Sequence, residues 1–204
     1  MWALVEDNAI TKIINNPKAM VIGDVRHSRN IFSSRWTNEE REAIGLYEVV
    51  FDDTNKKDEA YYTNTNQSFA FAGGVVTASY GSPTAKALDD RNETDKDGVE
   101  LDPVVVIPGL KTRHKERIKK QAAGLLAPTD WYVIKATDVA EYSVPSAVST
   151  FRANVRTRSN EMETAIDNAA DVDALAALYQ YVNTGTEENP VMERPLGEFP
   201  TLEI

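Results

Sequence analysis

The spacing of apolar residues changes once along the chain, and this change most constrains the fold. Up to about Tyr80 the apolar side chains come in short alternating runs bounded by Asn, Gly, Asp and Ser, which is typical of strands joined by turns. After Gly109 they recur every three or four residues, as on one face of a helix. We therefore expect an α+β protein in which a mainly antiparallel β domain precedes a small helical hairpin or bundle.

The same pattern divides the chain into four segments. Residues 1–80 are expected to form the β-rich domain. Residues 81–108 lose the apolar pattern and are too polar to bury a core, so they are expected to be a polar linker. Residues 109–184 are expected to form the helical domain. Residues 185–204 carry three prolines at five-residue steps, which excludes a helix and predicts an extended arm.

The longest predicted helix carries the clearest apolar stripe. Val148, Phe151 and Val155 lie at spacings of three and four on one face, so we expect them in the core. Trp2 and Trp131 have apolar neighbours and are also predicted to be core anchors. Trp131 is expected to lie in a loop and to pack beneath the helix that contains Phe151.

Composition and charge narrow the range of partners. The formal net charge of −10 argues against nucleic acid as the main partner, because phosphate binding needs an excess of basic residues. A basic run over residues 111–120 favours a solvated helix that complements acidic surface on its own linker or on a neighbouring subunit, with nucleic-acid binding as the alternative. No apolar run is long enough to span a bilayer, and the acidic start does not resemble a secretory signal. We expect a chain that is made and used in solution, without membrane contact.

No residues have the spacing of a catalytic or cofactor site. The chain has no cysteine, and neither His27 nor His114 has a Ser or an acid at catalytic spacing. Residues 95–98 resemble part of a calcium loop, but Val104 occupies the position of the required Glu, which favours a solvated linker. We expect no catalytic residue, no cofactor and no metal, so the chain is predicted not to be an enzyme.

Protein chains are therefore the expected partners, in a homo- or hetero-oligomeric assembly. Trp36, which follows three polar residues, is one candidate contact residue. The other candidates are the apolar residues of the arm: Val191, Met192, Leu196, Phe199 and Leu202. An ordered arm of this kind would lie in a groove of another subunit or of its own body.

Two stretches of the chain resemble bacteriophage proteins. Residues 121–131 (QAAGLLAPTDW) and a later helix containing residues 151–156 (FRANVR) resemble the C-terminal module of phage tail assembly chaperones and tail-fibre-associated proteins. In those proteins a helix ending in Leu-Leu, then Thr-Asp-Trp, precedes a helix with an aromatic-Arg pair. This chain departs from that pattern at Pro128 and in a longer loop over residues 133–143. Four short stretches of the N-terminal part are similar to modules encoded near tail-fibre genes in phages of marine bacteria: residues 1–5, 30–32, 43–50 and 61–62.

The resemblance implies a structural virion component at the tail tip or fibre attachment, bound to other phage tail or fibre proteins. It equally implies an alternative, a tail-fibre assembly chaperone that acts in the host cytoplasm during assembly and is absent from the mature virion. A third hypothesis comes from the residues themselves. Trp36, Tyr61 and Tyr62 could stack on sugars in a small glycan-binding module.

Overall fold

The computed structural model describes residues 1–203 and divides into two compact units, one over Met1–Thr84 and one from Ala85 onward. The first unit is dominated by strands and the second by helices, so the expected α+β class is confirmed. Among the described residues, no helix is long and apolar enough to cross a membrane.

The first unit is built on a five-stranded sheet. In chain order it contains β1 (Trp2–Glu6), β2 (Ala9–Ile14), β3 (Met20–Ile22), β4 (Val25–His27), α1 (Asn38–Glu42), β5 (Leu46–Asp52), β6 (Tyr62–Thr63), β7 (Ser68–Ala72) and β8 (Val75–Ser79). The main sheet has the order β2-β1-β5-β8-β7, and the approach of β2 to β7 curls it. A separate hairpin joins β3 to β4.

The strands of the main sheet are antiparallel except where β8 lies beside β5. β7 and β8 form a hairpin with a tight turn at Gly73 and Gly74, where φ is positive. The second strand of this hairpin, β8, pairs with β5 and runs parallel to it. β1 is buried on both faces. Ala3 and Val5 pack with Val49 on one side of the sheet, while Trp2 is half-buried against a second cluster on the other side.

The second unit is built on a helix pair. After β9 (Thr84–Ala85) at the boundary, the chain forms β10 (Arg91–Asn92), β11 (Val106–Ile107), α2 (Leu110–Leu126), α3 (Asp130–Asp138), α4 (Ser146–Asp167), α5 (Val172–Ala177), β12 (Val182–Asn183) and β13 (Met192–Glu193). α2 packs against α4, and Ala122 meets Phe151 and Val155 in their shared core. Val148, Phe151 and Val155 are all buried, as the apolar stripe predicts.

The predicted linker over residues 81–108 is wrong from Ala85 onward, since this stretch belongs to the second unit. Gly109 lies at the N-cap of α2 and has no side chain to satisfy the free N–H groups of the first turn. The stretch supplies the missing acceptors. The carbonyls of Ala87 and Leu88 accept from the first two residues of α2, and the carboxylate of Asp90 accepts from the Gly109 N–H at 2.8 Å.

The C-terminal arm folds onto its own unit. β13 pairs with β12, and Leu196 is fully buried, with its N–H donating to the Leu178 carbonyl at 2.9 Å. The guanidinium of Arg158 on α4 donates to the carbonyls of Leu196 and Glu198. The sequence leaves two alternatives for the arm, a groove of another subunit or a groove of its own chain. In the structure the arm lies on its own chain.

Candidate protein-binding surface

Three of the predicted contact residues in the arm pack against other residues of the same chain. Leu196 is 1% exposed, and Phe199 and Leu202 are partly buried against the core cluster of α2 and α4. The prediction of Leu196 as a partner-binding residue is therefore wrong, because it is buried within the second unit. For Phe199 and Leu202 the partner contact stays a prediction, since each is only partly buried. Val191 and Met192 remain about half exposed on the hairpin of β12 and β13.

The aromatic residues considered for sugar binding are also engaged. Trp36 is half-buried against the second cluster of the first unit, and its ring makes a T-shaped contact with the His27 ring, with centroids 5.9 Å apart. Tyr61 is buried, so its ring face is not open to a sugar. The Lys57 ammonium lies 4.3 Å from the centre of the Tyr62 ring.

Trp131 is not in the core, which corrects its prediction as an anchor beneath α4. It lies in α3 rather than in a loop and is 50% exposed. All nine residues of α3 are described, and none of them is buried. We define the α3 surface by its exposed large apolar residues, including the residue that ends the helix: Trp131, Val133, Ile134 and Val139.

A helix as short as α3 is marginal in water, since isolated helices below roughly 12–15 residues lack enough hydrogen bonds to offset the cost of nucleation. Most such helices in proteins are stabilised by burying an apolar face. α3 buries little, with Tyr132 and Ala136 partly covered and Ile134 61% exposed. Its position must therefore be maintained by other contacts.

Those contacts come from Arg152, which projects from α4. Its guanidinium lies 2.8 Å from the Asp130 carboxylate and donates to the Leu126 carbonyl at 3.1 Å and to the Thr129 hydroxyl. The Thr129 hydroxyl in turn donates to the Leu126 carbonyl at 2.7 Å. We call this set the Arg152 clamp, because it fixes the end of α2 and the start of α3 to α4.

The two charged groups of the Arg152 clamp, Arg152 and Asp130, are each in an electrostatically favourable position. The Arg152 side chain is 11% exposed, so its charge is largely removed from water and requires the partners that it has. The Asp130 carboxylate lies in the first turn of α3, where a negative charge complements the helix dipole. The motif of Thr-Asp-Trp followed by an aromatic-Arg pair therefore has a physical basis in this chain: Phe151 enters the core while Arg152 positions α3.

Sequence reasoning did not identify Arg152 as a positioning residue. The available signal was the Arg directly after Phe151 in the quoted motif, together with the Thr-Asp pair at residues 129 and 130. These groups lie more than twenty residues apart along the chain, so the local sequence pattern does not predict their contact. Lys135 was also missed, and its ammonium lies 4.3 Å from the ring centre of Tyr142 and 5.9 Å from that of Trp131.

Three lysines of α2 pair with acids, as the solvated-helix interpretation expects. Lys111 pairs with Asp89 in the preceding segment, and Lys115 pairs with Asp167 of α4. This pair and the carboxylates around it raise the pKa of Lys115. Within residues 1–203, no group of three or more His, Asp or Glu side chains is arranged to hold a metal ion.

No protein-family model matches the chain, and comparisons with curated proteins and with solved structures give no match. The fold and the α3 surface together define an α+β chain whose helical unit presents exposed apolar residues on a positioned helix. The basis for a function is therefore this geometry together with the sequence motif at the base of α3.

Proposed function

We propose that this chain is a non-catalytic bacteriophage tail protein, a structural component of the tail tip or fibre-attachment region that binds other tail or fibre chains. The association with phage tails comes from the sequence resemblance of residues 121–131 and 151–156. The binding role is supported by the α3 surface. Trp131 of this surface is the last residue of the first stretch, so the resemblance and the exposed apolar residues meet there.

The observation that carries the proposal is the contrast between how α3 is positioned and how little of it is covered. A largely buried arginine fixes its start, yet Trp131 and Ile134 are half or more exposed. Exposed Trp and Ile on a positioned helix favour protein docking, because such residues supply large apolar contact area. In this reading, α3 is completed by an apolar face of a neighbouring chain.

Site-specific photo-cross-linking tests the proposal. A photoreactive phenylalanine analogue at Ile134 is expected to cross-link to a tail or fibre protein of the same phage, identified by mass spectrometry from infected cells. The matched control places the analogue at Asn160, an exposed polar residue of α4. Cross-links from Ile134 to unrelated proteins alone, or equal yields of the same product from both positions, would overturn the proposal.

A further inference from the structure

A cleft of about 240 Å³ lies in the second unit, between the hairpin of β10 and β11 and the first turn of α2. Three cationic side chains line it, one from the segment before β10, one from β10 and one from α2. The other lining residues are apolar, and we call them the floor of the cleft. The cations are Lys86, Arg91 and Arg113, and the floor consists of Ala87, Ile107, Pro108 and Leu110.

Two of these charges have no acidic partner within the part of the chain that the structure describes. Arg91 and Arg113 are exposed, and within residues 1–203 neither guanidinium forms an ion pair. Other cations of α2 behave differently, since Lys115 and Lys119 each pair with a carboxylate of α4. The chain as a whole has a net charge of −10, whereas the two arginines make this cleft locally positive.

The nearby acids are engaged elsewhere. Asp89 pairs with Lys111 at 3.3 Å. The carboxylate of Asp90 accepts from the Gly109 N–H, and this bond, followed by one from the Thr112 side chain, lowers the pKa of Asp90. Among the described residues, no Asp or Glu lines the cleft itself. Its positive potential is therefore available to a ligand.

The shape and floor of the cleft restrict that ligand. The volume is below that of pockets for drug-sized molecules, which begin at roughly 300 Å³, so it suits one or two side chains. Guanidinium groups match the planar geometry of a carboxylate and can bind it through two parallel hydrogen bonds. The apolar floor of Ile107 and Leu110 favours an aliphatic group attached to the anion.

We propose that this cleft is a binding site for an acidic peptide segment, in which an Asp or Glu carboxylate meets Arg91 and Arg113 and a neighbouring aliphatic side chain covers the floor. A nucleic acid is disfavoured because the net charge of −10 repels a polyanion. The inference does not depend on the α3 surface. Either one can fail while the other holds.

Titration of the full chain with capped tripeptides, followed by the NMR signals of the arginine side-chain N–H groups, tests the site. Acetyl-Leu-Glu-Val-amide is expected to shift the Arg91 and Arg113 signals, and its affinity is expected to fall as NaCl is raised. The double substitution R91Q and R113Q is expected to weaken binding by roughly tenfold or more. R117Q is the matched control, since Arg117 is an exposed arginine one turn along α2 that does not line the cleft.

Three results would overturn the proposal. Equal binding of the Gln analogue of the peptide would show that the carboxylate is not recognised. Equal binding of inorganic phosphate would show that the apolar floor contributes nothing to the ligand. Equal loss of affinity in R117Q would show a diffuse charge effect rather than a site. Unchanged circular dichroism of all variants establishes that none of these effects comes from unfolding.

Discussion

At the scale of single residues, Arg152 joins three backbone segments through one side chain. Its guanidinium contacts the carbonyl that ends α2, the hydroxyl of Thr129 and the carboxylate of Asp130. Thr129 is 2% exposed, so its hydroxyl has little access to water. The Asp130 side chain is 54% exposed, so solvent screens its part of the interaction. The part-buried contacts to Leu126 and Thr129 therefore carry most of the effect.

We predict that R152M destabilises the chain by about 2 kcal/mol, because the buried groups around Thr129 lose a charged hydrogen-bond partner. Chemical denaturation in urea measures this change. The control is R156M, one turn further along α4, where the exposed guanidinium donates to the Arg152 carbonyl. This control is expected to stay within about 0.5 kcal/mol of the parent. Similar losses in both variants would contradict the clamp.

His114 provides a second prediction at this scale. Its ring is 5% exposed and packs on Tyr179 with centroids 4.8 Å apart. Burial, with a smaller contribution from Arg117, lowers the pKa of His114 below its ordinary value of about 6.5. The folded state therefore binds a proton less readily than the unfolded state. Its contribution to stability is fully present above that ordinary value and is lost as pH falls toward the lowered pKa.

We expect the free energy of unfolding to fall as the pH is lowered below about 6.5, before most carboxylates titrate. H114F keeps an aromatic ring against Tyr179 and is expected to flatten the profile in this range. H27F leaves His114 in place and serves as the control. Urea unfolding curves at several pH values measure the effect, and an identical slope in the parent and H114F would refute this assignment.

At the scale of elements, the sequence predicts the long helices well and α3 poorly. The apolar stripe of α4 matches its observed buried face, and α2 begins where the helical period is predicted to begin, directly after Gly109. α3 has no such stripe, and Pro128 just before it indicates a break. Its contact with Arg152 lies more than twenty residues away along the chain, where local pattern carries no information.

The arm shows a similar limit. Its prolines exclude a helix, and its apolar residues indicate that it covers something, but neither feature says which surface. The structure answers through contacts that depend on tertiary position: Leu196 enters the core, and Arg158 donates to the carbonyl of Glu198. The tight turn at Gly197, where φ is +71°, brings these groups together.

We predict that G197A releases the arm. A Cβ at this position would overlap the Arg158 guanidinium, and the positive φ adds backbone strain of about 1–3 kcal/mol. The expected result is a lower melting temperature and faster proteolysis within residues 185–203. G124A is the control, since Gly124 is helical with open space around it, so Ala there is expected to stabilise α2 by up to about 1 kcal/mol. Unchanged proteolysis in G197A would contradict the predicted anchoring of the arm.

At the scale of the whole molecule, the α3 surface and the cationic cleft both belong to the second unit. The two-part organisation follows from the change in apolar period, but the boundary does not. The segment that follows Ala85 accepts hydrogen bonds from the start of α2 through two backbone carbonyls and the carboxylate of Asp90. These contacts need no apolar pattern, so the segment has the composition of a linker. The sequence does not distinguish an exposed Trp from a buried one, so it does not predict the α3 surface.

The protein composition of purified mature phage particles, determined by quantitative mass spectrometry, directly tests whether the chain is a structural component of the tail. We predict that the chain is present in a fixed copy number that matches the symmetry of the tail. Absence from the particles, with the chain abundant in infected cells, would contradict a structural role and favour the assembly chaperone.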